Sequence, residues 1–74
     1  MAVKLLLSSG AQRIVEDADS ARLDGAFFII NRWYPDLNRT ETVLTLRADD
    51  VVAAEIVKDG IVTDCVLGAG ISQQ

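Results

Sequence analysis

Two Asp-Gly steps, Asp24-Gly25 and Asp59-Gly60, constrain this chain more than any other feature. Asp-Gly suits the two-residue loop of a β-hairpin. A type I′ turn needs positive φ at both central positions, which glycine takes without steric cost and aspartate tolerates. A run of strand-forming residues follows each step. Ala26 to Tyr34 contains Phe27, Phe28, Ile29 and Ile30, and a second run covers Ile61 to Leu67. Aromatic and β-branched side chains pack well on a pleated surface. Leu23-Asp24-Gly25-Ala26 and Lys58-Asp59-Gly60-Ile61 therefore predict two antiparallel hairpins.

The remaining segments extend the pattern. Residues 2–8 read as a strand with Val3, Leu5 and Leu7 on one face, and Ser9-Gly10 is a turn signal. Residues 11–17 return as a second strand, and a polar connection runs from Asp17 to Ser20. Pro35 ends the aromatic strand because it has no N–H for the ladder. Tyr34-Pro35-Asp36-Leu37 predicts a turn with proline at its second position. Residues 40–47 come back with Thr42, Leu44 and Leu46 on one face. Residues 49–58 allow two readings. Asp49 or Asp50 could cap a short helix with Gly60 just past its end. A strand through Val51–Val57 is the competing reading, favoured by its β-branched residues Val51, Val52, Ile56 and Val57. Residues 68–74 read as a loose tail. The expected fold is all-β, a small antiparallel barrel or roll of about five to seven short strands joined by hairpins. It forms one domain over residues 1–67. The alternative is an α+β fold with a helix near 49–58.

A chain of 74 residues makes one domain, and a marginal one. Ordering it costs on the order of 110 kcal/mol, at about 1.5 kcal/mol per residue. Small domains often need disulfides, a metal or a partner to offset that cost. The sequence has no histidine and a single cysteine, Cys65, so a disulfide framework is excluded and a metal site is disfavoured. What remains is a good core, oligomerisation, or both, and a hydrophobic content of 50% suits either.

The net charge of −4 argues against general binding to nucleic-acid phosphates or to anionic membrane surfaces. No apolar run approaches the ~20 residues of a membrane span. Leu5-Leu6-Leu7 after Lys4 is shorter than the roughly 7–15 apolar residues of a signal segment. The sequon Asn38-Arg39-Thr40 matters only in a secreted protein. A cytoplasmic location is the default expectation, and an unpaired Cys65 is compatible with it.

Several strands lack the alternation of a one-sided sheet. Phe27–Ile30 is apolar at four successive positions, and Leu5–Leu7, Val51–Ala54 and Cys65–Leu67 behave similarly. Such strands want cover on both faces. A second subunit would supply it, so a homo-oligomer, most simply a two-fold dimer, is expected, with Phe28, Ile30 and Leu6 at the self-association face. The plainer reading is scattered surface apolar residues, normal on any protein.

No residues combine into catalytic apparatus. Without histidine, Ser–His and Cys–His nucleophiles are impossible. Cys65 is expected to be a buried structural thiol. Glu16, Asp17 and Asp19 begin like a calcium loop, but Ala21 and Arg22 stand where a ligand and glycine belong. Gly68-Ala69-Gly70 lacks the helix a phosphate loop requires. The expectation is therefore a non-enzyme with no cofactor and no metal. The segment from Arg32 to Arg39 is the main surface candidate. Arg32, Trp33, Tyr34 and Arg39 bring two arginines, the only tryptophan and the only tyrosine to one hairpin tip, and these types dominate binding hot spots. Against this, Trp33 could cover the end of the core. The function expected is a protein-interaction or assembly module. The alternatives are a nucleic-acid-binding small barrel using the same hairpin, or a non-catalytic subunit of a larger complex.

Overall fold

Turn chemistry sets up the chain path. In the computed structural model, which describes residues 1–71, seven strands follow in order: β1 Ala2–Leu7, β2 Gln12–Glu16, β3 Ser20–Asp24, β4 Phe27–Tyr34, β5 Arg39–Arg47, β6 Val51–Lys58 and β7 Ile61–Leu67. At Asp59-Gly60 both residues have positive φ, 53° and 78°, and Lys58 pairs with Ile61. That is the expected type I′ loop. The other Asp-Gly hairpin forms one residue later than expected. Asp24 pairs with Phe27, so the loop is Gly25-Ala26, and of these only Gly25 has positive φ, at 58°. This is the pattern of a type II′ turn, which needs glycine only at its first central position. Asp24 is thereby freed to extend β3 and to stand 3.8 Å from Arg22.

Two sheets result, both antiparallel. One has strand order β2-β1-β6-β7 and the other β3-β4-β5. They face each other as a small sandwich or roll; among the described residues the outer edges of the rim strands have no ladder partner, so of the expected barrel or roll the open, two-layer form is found. Segment 51–58 is the strand β6, paired with β1 on one side and β7 on the other. The helix alternative fails because its would-be caps, Asp49 and Asp50, lie in a single 3₁₀ turn over Ala48–Asp50, and Val51 then turns extended at φ −114°, ψ 122°. Its β-branched residues suit a central strand. No helix among the described residues is long and apolar enough to cross a membrane.

The core is the space between the sheets. Val3 and Leu5 of β1, Ala54 and Ile56 of β6, and Phe28 and Ile30 of β4 are buried there with Ala18 and Val51. Leu7, Val15, Ala21, Leu44, Leu46 and Val66 pack around them.

Two crossovers join the sheets. Asp17-Ala18-Asp19 carries the chain from β2 to β3, with Asp17 at φ 61° and Ala18 fully buried. Asp19 locks this crossover to β4. Its Oδ2 accepts the Trp33 N–H at 2.8 Å, and its own N–H donates to the Asn31 carbonyl at 3.0 Å. The acidic cluster that begins like a calcium loop is thus a crossover, with one carboxylate bound to backbone. Replacing Asp19 with alanine is expected to cost about 1–2 kcal/mol, since a hydrogen bond to a charged group contributes more than a neutral one but is weakened by exposure. Urea denaturation of Asp19→Ala would check this; an unchanged midpoint would show the bond to be irrelevant to stability.

The second crossover, Ala48–Asp50, is clasped by the end of the chain. Gly68 N–H donates to the Val52 carbonyl at 2.9 Å, Ala69 N–H to Ala48 at 3.1 Å and Gly70 N–H to Val51 at 2.8 Å. The segment read as a loose tail therefore starts with three docked residues; residues 72–74 lie outside the described residues.

Candidate interaction surfaces

The side chains of a strand alternate between faces, so the apolar runs that fill the core also coat the outside. On the four-stranded sheet the registers define three outer rows. Glu16, Ala2, Val57 and Val62 form the first; Ile14, Lys4, Glu55 and Cys65 the second; Gln12, Leu6, Ala53 and Leu67 the third. Leu67 is 70% exposed, Ile14 60% and Val62 49%. A shallow concavity of about 390 Å³ crosses this face, from Ile14 and Glu16 on β2 to Gly60 and Val62 at β7. Lys4 and Glu55, both half-buried, stand side by side on its floor.

Of the residues expected at a self-association face, only Leu6 lies on this surface, where it is half-buried. Phe28 and Ile30 have no accessible surface and belong to the core, so they have nothing to offer a second copy. The reason is parity. β4 is apolar on both sides, and Phe27 and Ile29, their neighbours, take the outward places; Phe27 is 52% exposed. Cys65 is likewise not the buried thiol expected. It is exposed, because β7 is a rim strand and Cys65 pairs with Glu55 on the outer side.

Three of the four rim strands are poorly suited to pairing. β2 turns Arg13 towards the core side, opposite Leu5, and β7 does the same with Asp64, opposite Ile56. β7 is further bent by an extra residue, Thr63, and β5 by Val43. Inward-pointing charges and bulges interrupt a strand edge that another chain could extend.

The β4–β5 hairpin forms an arm. Cross-strand pairing puts Arg32 opposite Glu41, Trp33 opposite Thr40 and Tyr34 opposite Arg39. Arg32, Tyr34, Arg39 and Glu41 therefore share one face. The Arg32 guanidinium lies 4.7 Å from the Tyr34 ring centre, and Arg39 meets Glu41 at 2.6 Å. Trp33 projects to the opposite face with Asn31, Thr40 and Thr42, where Thr42 Oγ1 donates to Asn31 Oδ1 at 3.1 Å. It is 43% exposed and does not cover the end of the core. The arm thus unites three of the four residues expected to bind a partner and separates the fourth.

The outer residues Lys4, Ile14, Glu55, Val62 and Leu67 were not singled out by sequence. The double-sided apolar runs hinted at such a face, but only the β1–β6 register brings Lys4 and Glu55 together. No cluster of three His, Cys, Asp or Glu side chains suited to a metal occurs among the described residues. No protein-family model matches this chain, and neither does any curated protein or solved structure.

Proposed function

We propose that this protein is a non-enzymatic assembly module that self-associates through the outer face of its four-stranded sheet. The carrying observation is the exposure of Ile14, Val62 and Leu67 on one continuous face. A marginal 74-residue domain has most to gain from covering it. Burying these side chains in a dimer contributes on the order of 9 kcal/mol, at about 1.5 kcal/mol for each of six. Association costs roughly 4–15 kcal/mol. The two are comparable, so the dimer is expected to be weak and to dissociate on dilution.

Sedimentation equilibrium between about 10 μM and about 2 mM, bracketing the Kd of roughly 0.2 mM that a net gain of about 5 kcal/mol gives, should show the mass rising from 8.0 kDa towards twice that value. A constant 8.0 kDa across the range would defeat the proposal.

The arm supports contact with a different protein. Arg32, over the Tyr34 ring, suits a carboxylate-bearing surface, while the neighbouring Arg39 already meets Glu41. Nucleic acid is the weaker reading, because the chain carries a net −4 and Trp33 sits on the side away from both arginines. A reducing, cytoplasmic setting suits the exposed thiol of Cys65.

A further inference from the structure

Lys4 and Glu55 occupy the centre of the outer face, on the adjacent strands β1 and β6. Ion pairs among the described residues join Arg22 to Asp24 and Arg39 to Glu41. Lys4 and Glu55 are neighbours across the β1–β6 ladder without closing an ion pair of their own, so both charges can also turn to a partner. With both rims of the four-stranded sheet interrupted, a second copy has the face itself to use, and with the strands of the two copies aligned, two-fold symmetry allows two ways of stacking it. An axis running across the strands sets Lys4 over Lys4 and Glu55 over Glu55. An axis along the strands, between β1 and β6, sets β1 over β6 and β2 over β7. Lys4 of each copy then stands over Glu55 of the other, with Ile14 over Cys65 and Leu6 over Ala53, and at the rims Val62 meets Glu16 and Leu67 meets Gln12.

Like charges brought together in a closing interface repel strongly, while opposite charges fix its register. In an isologous contact each such pair occurs twice. We infer that the second copy docks with its two-fold axis parallel to the strands, held in register by reciprocal Lys4–Glu55 ion pairs. This rests on the proposed self-association and specifies its geometry.

The test is sedimentation of Lys4→Glu, Glu55→Lys and the double variant, with circular dichroism to confirm that each folds. Each single variant is expected to lose self-association by at least roughly tenfold. An equimolar mixture of the two should associate, because an all-acidic centre then meets an all-basic one. A merely misfolded variant would not be rescued by mixing. The double variant should self-associate again, yet fail to join the wild type, since Lys4 would meet the lysine introduced at position 55. A wild type that stays monomeric overturns the self-association reading along with this geometry. A dimeric wild type whose single variants dimerise equally well overturns the geometry alone. So does co-assembly of wild type with the double variant, the signature of an axis across the strands.

Discussion

Replacing Phe28 with alanine is expected to lower the unfolding free energy by about 3–5 kcal/mol. Phe28 has no accessible surface and is the largest fully buried side chain. It lies between Leu23 on β3 and Leu46 on β5, and faces the other sheet across the core. Truncation there removes the transfer energy of the ring and leaves a cavity that close-packed neighbours fill only in part. A domain of this length has a total stability of roughly 4–11 kcal/mol, at about 0.05–0.15 kcal/mol per residue. The variant should therefore lose roughly a quarter or more of its stability, and with a wild type at the low end of that range it sits near its unfolding midpoint at room temperature. Phe27→Ala is the control. Its ring is 52% exposed on the outer face, so a loss of less than about half as much is expected from area alone. Urea titration followed by far-ultraviolet circular dichroism would compare the two. Equal losses would mean that the sheet faces are assigned the wrong way round.

The second large effect is expected at Gly68. A Cβ placed there would overlap the carbonyl oxygen of Val51 and stand 2.8 Å from its carbonyl carbon. Both atoms are backbone, and Val51 is itself buried, so neither side can yield cheaply. Gly68→Ala must push the end of β7 away from the crossover. That strains the hydrogen bonds from Gly68, Ala69 and Gly70, each contributing about 1 kcal/mol. A loss of about 2–3 kcal/mol should follow, with faster hydrogen exchange at those three amides. Gly25→Ala offers a contrast: its Cβ would meet nothing within 4 Å, and its penalty would come from positive φ alone. Unaltered exchange at residues 68–70 in Gly68→Ala would show that this clasp is absent in solution.

These two positions mark how far the sequence could be read. The hairpins, the strand run from Phe27 and the single domain were legible because each depends on residues near one another. Ser9-Gly10 is a case in point. Gly10 takes φ 91° and closes a short loop, with its N–H donating to the Leu7 carbonyl. The glycines at 68 and 70 carried no such local signal. Their value lies in a close approach to Val51, a contact made only once β6 and β7 have paired.

The candidate sites divide in the same way. That Arg32, Trp33, Tyr34 and Arg39 would share a hairpin followed from Pro35, which interrupts the strand between them. That Trp33 would face away from the other three followed from strand alternation, once β4 was known to continue unbroken to Tyr34.

Asp59-Gly60 adopts its type I′ turn because φ preference belongs to single residues and needs no tertiary help. Asp24-Gly25 shows the limit of that rule, for the glycine is used as expected but pairing of β3 with β4 moves the loop one residue on. Which half of each double-sided strand enters the core is a different kind of question. The apolar runs satisfy either parity, so local chemistry leaves it open. The stacking of two sheets settles it, by burying Phe28 and Ile30 and leaving Lys4 and Glu55 together on the outside.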